Sequence, residues 1–322
     1  MARRVTLRLL HAALVAAAAT LALPAFAADP VFPVGSRLGL VPPEGLTPSE
    51  AFRGFEDRTN QVAVIMLDMP PQAYGDMAKV MTPEGLKKQG IAVEKRETVS
   101  LPGGNKGILF VGRQTGQDGL KLRKFILLGA LKDTTALVTA MLPEDARNVY
   151  PDDAMRSALV SLTARDAVPL SEQMSLLPFK LDDTAQLRVF RVEPNTIFLT
   201  EGPKDSIDTD EQPLLVVSAS PGGPSSDAAQ ARDVFARNLF SGLPGYKDVR
   251  VVGTDIIRLE AGQTHQLLAE AKDAKSGADV KLVQWLRFGN GAFVRVLGIA
   301  RSDAWPQAFP QFRTVRDAIA AR

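Results

Sequence analysis

Residues 93–115, VEKRETVSLPGGNKGILFVGRQT, and residues 251–273, VVGTDIIRLEAGQTHQLLAEAKD, decide how this chain folds. Each sets a strand, a turn and a second strand. The turn is Pro102-Gly103-Gly104 in the first stretch and Glu260-Ala261-Gly262 in the second. Val99 and Leu101 correspond to Ile257 and Leu259, and Leu109 and Phe110 to Leu267 and Leu268. A pattern that returns half a chain later marks a duplicated unit, and missing it would miscall the fold.

The echo extends outward from both hairpins. Residues 120–131 (LKLRKFILLGAL) match 279–288 (DVKLVQWLRF), each with apolar positions alternating as in a strand. Lys132-Asp133-Thr134 turns the first copy and Gly289-Asn290-Gly291 the second, where Asn and Gly tolerate positive φ. Residues 135–142 and 292–299 are strand-like again, and each copy then closes with a helix. Met155, Ala158, Leu159 and Leu162 form one helical stripe; Phe312, Val315 and Ile319 form the other, with basic residues expected outside. Pro151-Asp152 and Trp305-Pro306 mark the two starts.

Upstream of each hairpin the pattern predicts a helix. One covers 71–81 with Tyr74, Met77 and Met81. The other covers 226–240 with an apolar stripe of Ala231, Val234, Phe235 and Leu239, capped by Ser225-Ser226-Asp227. Strands over 62–69 and 214–219 precede them, each fed by a hairpin partner, 51–56 and the pair 186–192 with 196–200. Thr47-Pro48-Ser49-Glu50 has the form of a capping box and argues for a helical turn in front of 51–56. The fold class is therefore α+β: two tandem antiparallel-sheet domains, each with helices packed on its sheet. The expected divisions are a leader over 1–27, a first domain over 28–165, a linker over 166–177 and a second domain over 178–322.

This order of elements resembles the PsbP-like fold, the family of the extrinsic photosystem II subunit and of a nuclear Ran-binding release factor. The resemblance covers residues 31–165 once and 178–320 again. Leu40-Val41-Pro42-Pro43-Glu44-Gly45 followed by Phe52-Arg53-Gly54-Phe55-Glu56 is similar to the opening of exported bacterial members. The second copy departs from it, with Leu181-Asp182-Asp183-Thr184 in place of the Pro-Pro-Glu-Gly turn. What the resemblance implies is a non-enzymatic binding or assembly module that works through surfaces, loops and a cleft beside the sheet. It brings no shared catalytic set.

The first 27 residues read as an export signal. Arg3, Arg4 and Arg8 precede an apolar run over 9–23, and Ala25-Phe26-Ala27 gives a small-x-small cleavage site before Ala28. The run falls short of the ~20 residues a membrane span needs, so periplasmic or secreted release is expected, without stable membrane insertion. With no Cys in the chain, lipoprotein anchoring and a disulfide framework are both excluded. Losing three arginines takes the 38 basic residues to 35 against 36 acidic ones, a net charge of −1. A near-neutral chain has no general field for phosphate backbones, so nucleic acid is excluded as a partner. The expected partner is an unidentified protein or small molecule of the envelope, held in a groove between the units or at the loops of one sheet end.

Candidate chemical groups are sparse. His265 is the one histidine outside the leader and falls within a strand, which makes it a structural strand residue unless a nucleophile and an acid converge on it. The loop bearing Asp205, Asp208 and Asp210 is the best cation candidate, although it lacks the Gly and distal Glu of an EF-hand. No cofactor motif is present: the glycine turns match neither Walker A nor the dinucleotide fingerprint. Lys121 and Arg123 alternate with Leu120 and Leu122 as a basic strand edge, a candidate partner surface together with Trp305. The reading from a different class is a hydrolase using Ser, Lys or carboxylate groups in an inter-domain cleft, which would need such groups to converge in a pocket.

Overall fold

The structure is a computed structural model that describes residues 28–116, 119–208, 211–224, 229–259, 262–289 and 291–322. The leader with Ala27, the Ser225-Ser226-Asp227 cap, Asp210, Asn290 and the Glu260-Ala261 corner lie outside those residues, and Ala28 is the first within them. The chain divides between Ala167 and Val168. No helix among the described residues is long and apolar enough to cross a membrane.

In the first unit, β1 (Leu38–Gly39), β2 (Thr47–Pro48), β3 (Gly54–Asp57) and β4 (Val62–Met69) lead into α1 (Ala73–Val80) and α2 (Pro83–Lys88). A meander follows, β5 (Ile91–Ser100), β6 (Lys106–Thr115), β7 (Lys121–Ala130) and β8 (Thr135–Pro143), then α3 (Asp152–Val160) and β9 (Thr163–Ala164). The second unit repeats this plan. Its opening helix α4 (Leu170–Ser175) lies inside the segment read as a linker, and Leu177 from the same segment is buried in that unit's core. Then come β10 (Phe179–Leu181), β11 (Arg188–Glu193), β12 (Thr196–Thr200), β13 (Leu214–Pro221) and α5 (Ala229–Ser241). The second meander is β14 (Tyr246–Leu259), β15 (Gly262–Asp273), β16 (Asp279–Gly289) and β17 (Ala292–Arg301), closed by α6 (Trp305–Asp317) and β18 (Ile319–Ala321).

The two large sheets have the same topology. Their strand orders are β2-β3-β4-β8-β7-β6-β5 and β11-β12-β13-β17-β16-β15-β14, antiparallel throughout. In each, the strand before the first helix pairs with the last meander strand, so the helix crosses between two halves of one sheet. Each unit also carries a two-stranded clip, β1 with β9 and β10 with β18, which ties its opening segment to the end of its closing helix.

Helices cover both faces of each sheet, which is why the central strands read as nearly continuous apolar runs. In β7, Phe125 and Leu127 pack with Met155, Ala158 and Leu159 of α3, while Ile126 and Leu128 pack under Met81 and Leu86 on the opposite face. In β16, Val283 and Trp285 meet Phe312 and Val315 of α6, while Leu282 and Leu286 meet Ala236 and Phe240 of α5. A bulge in β5 reverses its faces: Val93 pairs with Gly112 and Lys95 with Val111, leaving Glu94 extra. Ile91 therefore lies on the α1–α2 side and Val99 on the α3 side, a switch that strict alternation does not produce.

Several local expectations are corrected. Thr47 and Pro48 form no helical turn; they pair with Glu56 and Phe55, and the Ser49 hydroxyl bonds the Glu56 carboxylate instead of a helix terminus. The true cap lies at Thr82, whose hydroxyl accepts from Gly85 N at 3.1 Å with Pro83 in the first turn, and it starts the unanticipated α2. The stripe expected on α5 is only partly kept, with Phe235 and Leu239 packing on the core. Arg232, Ala236 and Phe240 face the sheet, while Ala231 and Val234 are exposed. On α6, Arg316 is buried rather than solvated.

Candidate functional site

The basic strand edge expected at Lys121 and Arg123 does not exist as such. β7 lies inside the sheet, Lys121 is exposed, and Arg123 is buried at 5% exposure. The reason is a closed ring of six charges. Arg113 and Arg123 stand directly opposite on β6 and β7, a repulsive arrangement unless acids intervene. Glu94, swung inward by the β5 bulge, bridges them at 3.0 and 2.5 Å. Asp152 at the start of α3 takes Arg123 at 2.6 Å and Arg147 at 3.1 Å, and Glu144 joins Arg147 at 3.2 Å to Arg113 at 2.8 Å. Burial works against the Arg123 charge, but its bonds to Asp152 and Glu94 outweigh it and raise the pKa. Burial likewise opposes the Asp152 and Glu144 carboxylates, and their arginine partners nevertheless hold both below the usual range. The ring bolts α3 to three strands and leaves Arg123 nothing to offer a partner.

A second pairing explains the Pro-Pro-Glu-Gly turn. Asp57 accepts from the Asn60 side chain at 2.7 Å, from Tyr150 OH at 2.7 Å and from two backbone amides, which lower its pKa to about 2. Tyr150 is buried, and burial with the Asp57 charge pushes its hydroxyl up to about 12. Gly45 takes φ +95°, and a Cβ there would lie 2.5 Å from that hydroxyl. The motif makes room for a buried tyrosine.

A buried polar cluster of the second unit lies under α5. His265 of β15 is 5% exposed, and its Nε2 approaches Asp233 of α5 at 3.3 Å. Asp233 also accepts from Arg237 at 2.7 Å, which lowers its pKa; burial lowers that of His265 despite the neighbouring carboxylate. Gln284 of β16 donates to Ala236 O at 3.0 Å, and Arg295 of β17 donates to Leu239 O at 3.2 Å, so the sheet holds α5 by its own carbonyls. Burial drops the Arg295 pKa to about 10. Arg232 Nε, His265 Nδ1, Gln284 Oε1 and Arg295 Nε are buried with no hydrogen-bond partner among the described residues. On the corresponding face of the first unit stand Ile108, Phe110, Ile126, Leu128 and Leu137.

A catalytic relay needs one imidazole nitrogen on an acid and the other on a nucleophile. His265 Nε2 lies 3.3 Å from Asp233 Oδ1 without a well-formed hydrogen bond to it, and Nδ1 has no hydrogen-bond partner among the described residues. Asp205 and Asp208 do not converge either: Asp205 takes Arg188 at 2.6 Å and Asp208 takes Lys275 at 3.0 Å. No group of three or more potential metal ligands occurs among the described residues. Trp305 is half-buried, stacked on Phe309 at 5.1 Å and edge-on to Phe312, and so belongs largely to the core.

Sequence reasoning missed the outer side of α5. Arg232 is buried, while Ala231 and Val234 turn outward, Val234 to 52% exposure. With Gly223, Pro224, Gln230, Phe235 and Asn238 they line an open groove of about 650 Å³, with no charged side chain in its wall among the described residues. A signal existed: Arg295 and Gln284 interrupt the apolar runs of β17 and β16 on the face that α5 covers, and buried polar groups there demand polar partners from the helix.

No family model matches this sequence, and no curated protein does. Among solved structures, the chain is similar to LpqN, involved in cell envelope biogenesis of Mycobacterium tuberculosis, at 16% identity over 44% of this chain and 82% of that one, with TM-score 0.34. It is similar to cyanobacterial PsbP of Synechocystis at 14% identity over 45% and 91%, TM-score 0.30. The immunity protein TplEi of the type VI secretion system of Pseudomonas aeruginosa matches 92% of this chain and 98% of its own at 10% identity, TM-score 0.29. At these scores the likenesses carry no argument about function.

Proposed function

We propose that this chain is an exported, non-enzymatic binding protein of the envelope, built from two PsbP-like units, whose ligand surface is the groove on α5. The observation that supports this most directly is the outer side of α5, where Ala231 and Val234 are exposed while Arg232 is buried beneath the helix. A volume of about 650 Å³ lies within the range of small-molecule sites. Its apolar floor with two amides, Gln230 and Asn238, suits an uncharged, largely apolar ligand that takes one or two hydrogen bonds. The hydrolase alternative draws no support from His265, whose Nδ1 has no hydrogen-bond partner among the described residues.

The test is capture. Mature protein and its Val234→Arg variant are incubated with envelope extract, and retained small molecules are identified by mass spectrometry. A component held by the parent and lost from the variant supports the reading. Identical retained sets would remove the groove from consideration, and turnover of generic ester, peptide or glycoside substrates would return the enzymatic reading.

A further inference from the structure

On the face of the first sheet where α1 and α2 pack, Lys124 of β7 lies opposite Met141 of β8, and Met141 lies opposite Ala63 of β4. Lys124 is 8% exposed and Met141 is partly buried. Ile65, two residues along β4 from Ala63, is 41% exposed, so small solutes can reach this part of the face.

The Lys124 amine has a poor partner. Among the described residues its one hydrogen bond goes to the Met141 sulfur at 3.8 Å, and no carboxylate pairs with it. The carboxylate on that row of the sheet, Glu56 opposite Ala63, takes Arg58 and the Ser49 hydroxyl instead. Gly112, on the other side of Lys124, has no side chain to offer. Burial alone acts on the Lys124 pKa and lowers it. A thioether is a weak acceptor, and a buried ammonium is better served by oxygen.

Oxidation of the sulfur supplies that oxygen. With hydrogen peroxide, a sulfur lone pair attacks one oxygen and the S–O bond forms as the O–O bond breaks. The leaving hydroxide takes the remaining peroxide proton and departs as water, so two electrons pass from sulfur to peroxide. The sulfoxide oxygen is a strong acceptor. Sulfur and nitrogen 3.8 Å apart leave room for it, and the rotatable bonds of the methionine let it turn to the amine. Oxidised methionines ordinarily disrupt a core, because the new polar group meets no donor. Met155, fully buried in the apolar core, is such a case; Met141 is the reverse.

The fold does not require this pair. β16 and β17, the corresponding strands of the second unit, carry no methionine, and there Leu282 lies opposite Ile299, both apolar and buried.

We infer that Met141 is an oxidation site built to hold its sulfoxide, with Lys124 donating to the new oxygen. Mature protein, Met141→Leu, Lys124→Leu and the double variant are treated with hydrogen peroxide. Peptide mass spectrometry counts oxidation at each methionine, and thermal unfolding is followed by circular dichroism. Subtracting the Met141→Leu forms removes the contribution of the other methionines. After that subtraction, oxidation of Met141 should leave the Tm of the parent unchanged or higher. Without Lys124 the same oxidation should lower Tm by about 2–4 °C. Equal losses in the two backgrounds, or a folded parent whose Met141 resists peroxide, would overturn the assignment. Should Lys124→Leu not fold, hydrogen exchange on the parent decides. Peptides spanning β7 and β8 should exchange no faster once Met141 is oxidised, and faster exchange would overturn it.

Discussion

Replacing Arg123 by methionine tests whether burial, rather than the number of charges, sets the worth of the six-membered ring. The substitution removes two short bonds, 2.5 Å to Glu94 and 2.6 Å to Asp152, from a guanidinium that is 7% exposed. Breaking an isolated buried pair costs roughly 3–5 kcal/mol, mostly because the surviving charge is left without a partner. Here neither survivor is stranded. Glu94 keeps Arg113 at 3.0 Å, Asp152 keeps Arg147 at 3.1 Å, and both carboxylates are about a third exposed. The methionine stem also retains much of the packing. The expected loss is therefore about 2 kcal/mol at neutral pH, below the isolated-pair figure. Arg113→Met, in the same ring but 53% exposed, should cost under about 1 kcal/mol. Urea denaturation followed by circular dichroism, with hydrogen exchange of peptides spanning β5–β7 and α3, measures both. The difference from the parent should shrink under acid. Asp152 and Glu144 have depressed folded-state pKa values, so their contribution is complete above the unfolded carboxylate range near pH 4 and disappears as pH falls through the folded values. Equal losses for the two arginines, or no loss at Arg123, would refute the reasoning.

Other consequences are equally direct. Tyr150→Phe should destabilise the first unit by about 1–2 kcal/mol and raise the Asp57 pKa from about 2 toward the ordinary range, readable by carboxyl NMR; an unmoved Asp57 would mean the 2.7 Å bond is absent in solution. Gly298→Ala should cost about 1–3 kcal/mol and alter tryptophan emission, because the new Cβ would lie 2.4 Å from Cδ2 of the fully buried Phe312 against which Trp305 packs. His265 is held neutral by burial, so its folded pKa lies below the unfolded value near 6.5; parent stability should fall as pH drops below about 6.5, and His265→Leu should lose that slope.

The duplicated ladder was readable because it rests on alternation and turn residues, which act locally. Val62–Met69 and Thr196–Thr200 fall where the pattern puts them, and the meanders shift by only a few residues at their ends. What escaped were features decided by tertiary partners. Thr47-Pro48-Ser49-Glu50 and Thr82-Pro83-Glu84-Gly85 carry similar capping signals, yet the first became a strand because β3 offers it a ladder, while the second follows α1 with no strand to pair. Arg123 reads as solvated because alternation cannot reveal that α3 covers that face or that the bulge at Glu94 delivers a counter-charge. On α5 half of the expected stripe holds, since Phe235 and Leu239 pack on the core; Ala231 and Val234 turn outward because His265, Gln284 and Arg295 beneath the helix engage Asp233 and the carbonyls of Ala236 and Leu239.

That last departure says how the two copies came to differ without changing topology. A sheet face under a helix can be closed by apolar packing, as with Phe110, Ile126 and Leu128, or by side chains that donate to the helix carbonyls, as with Gln284 and Arg295. Both closures keep the ladder, since register depends on the apolar rows flanking the helix, and those are present in each unit. The second closure is the costlier, because each orphaned polar atom under α5 forfeits hydration. It also orients the helix by directional bonds rather than by shape, and so allows an apolar surface to face outward without being drawn back into the core. If that is why the polar layer persists, then apolar replacement of Gln284 and Arg295 together should stabilise the unit and roll α5 so that Val234 is buried. A cysteine at Val234 would then react more slowly with a thiol probe in that background than in the parent. Unchanged labelling would show that the helix is held outward by something other than the two donors.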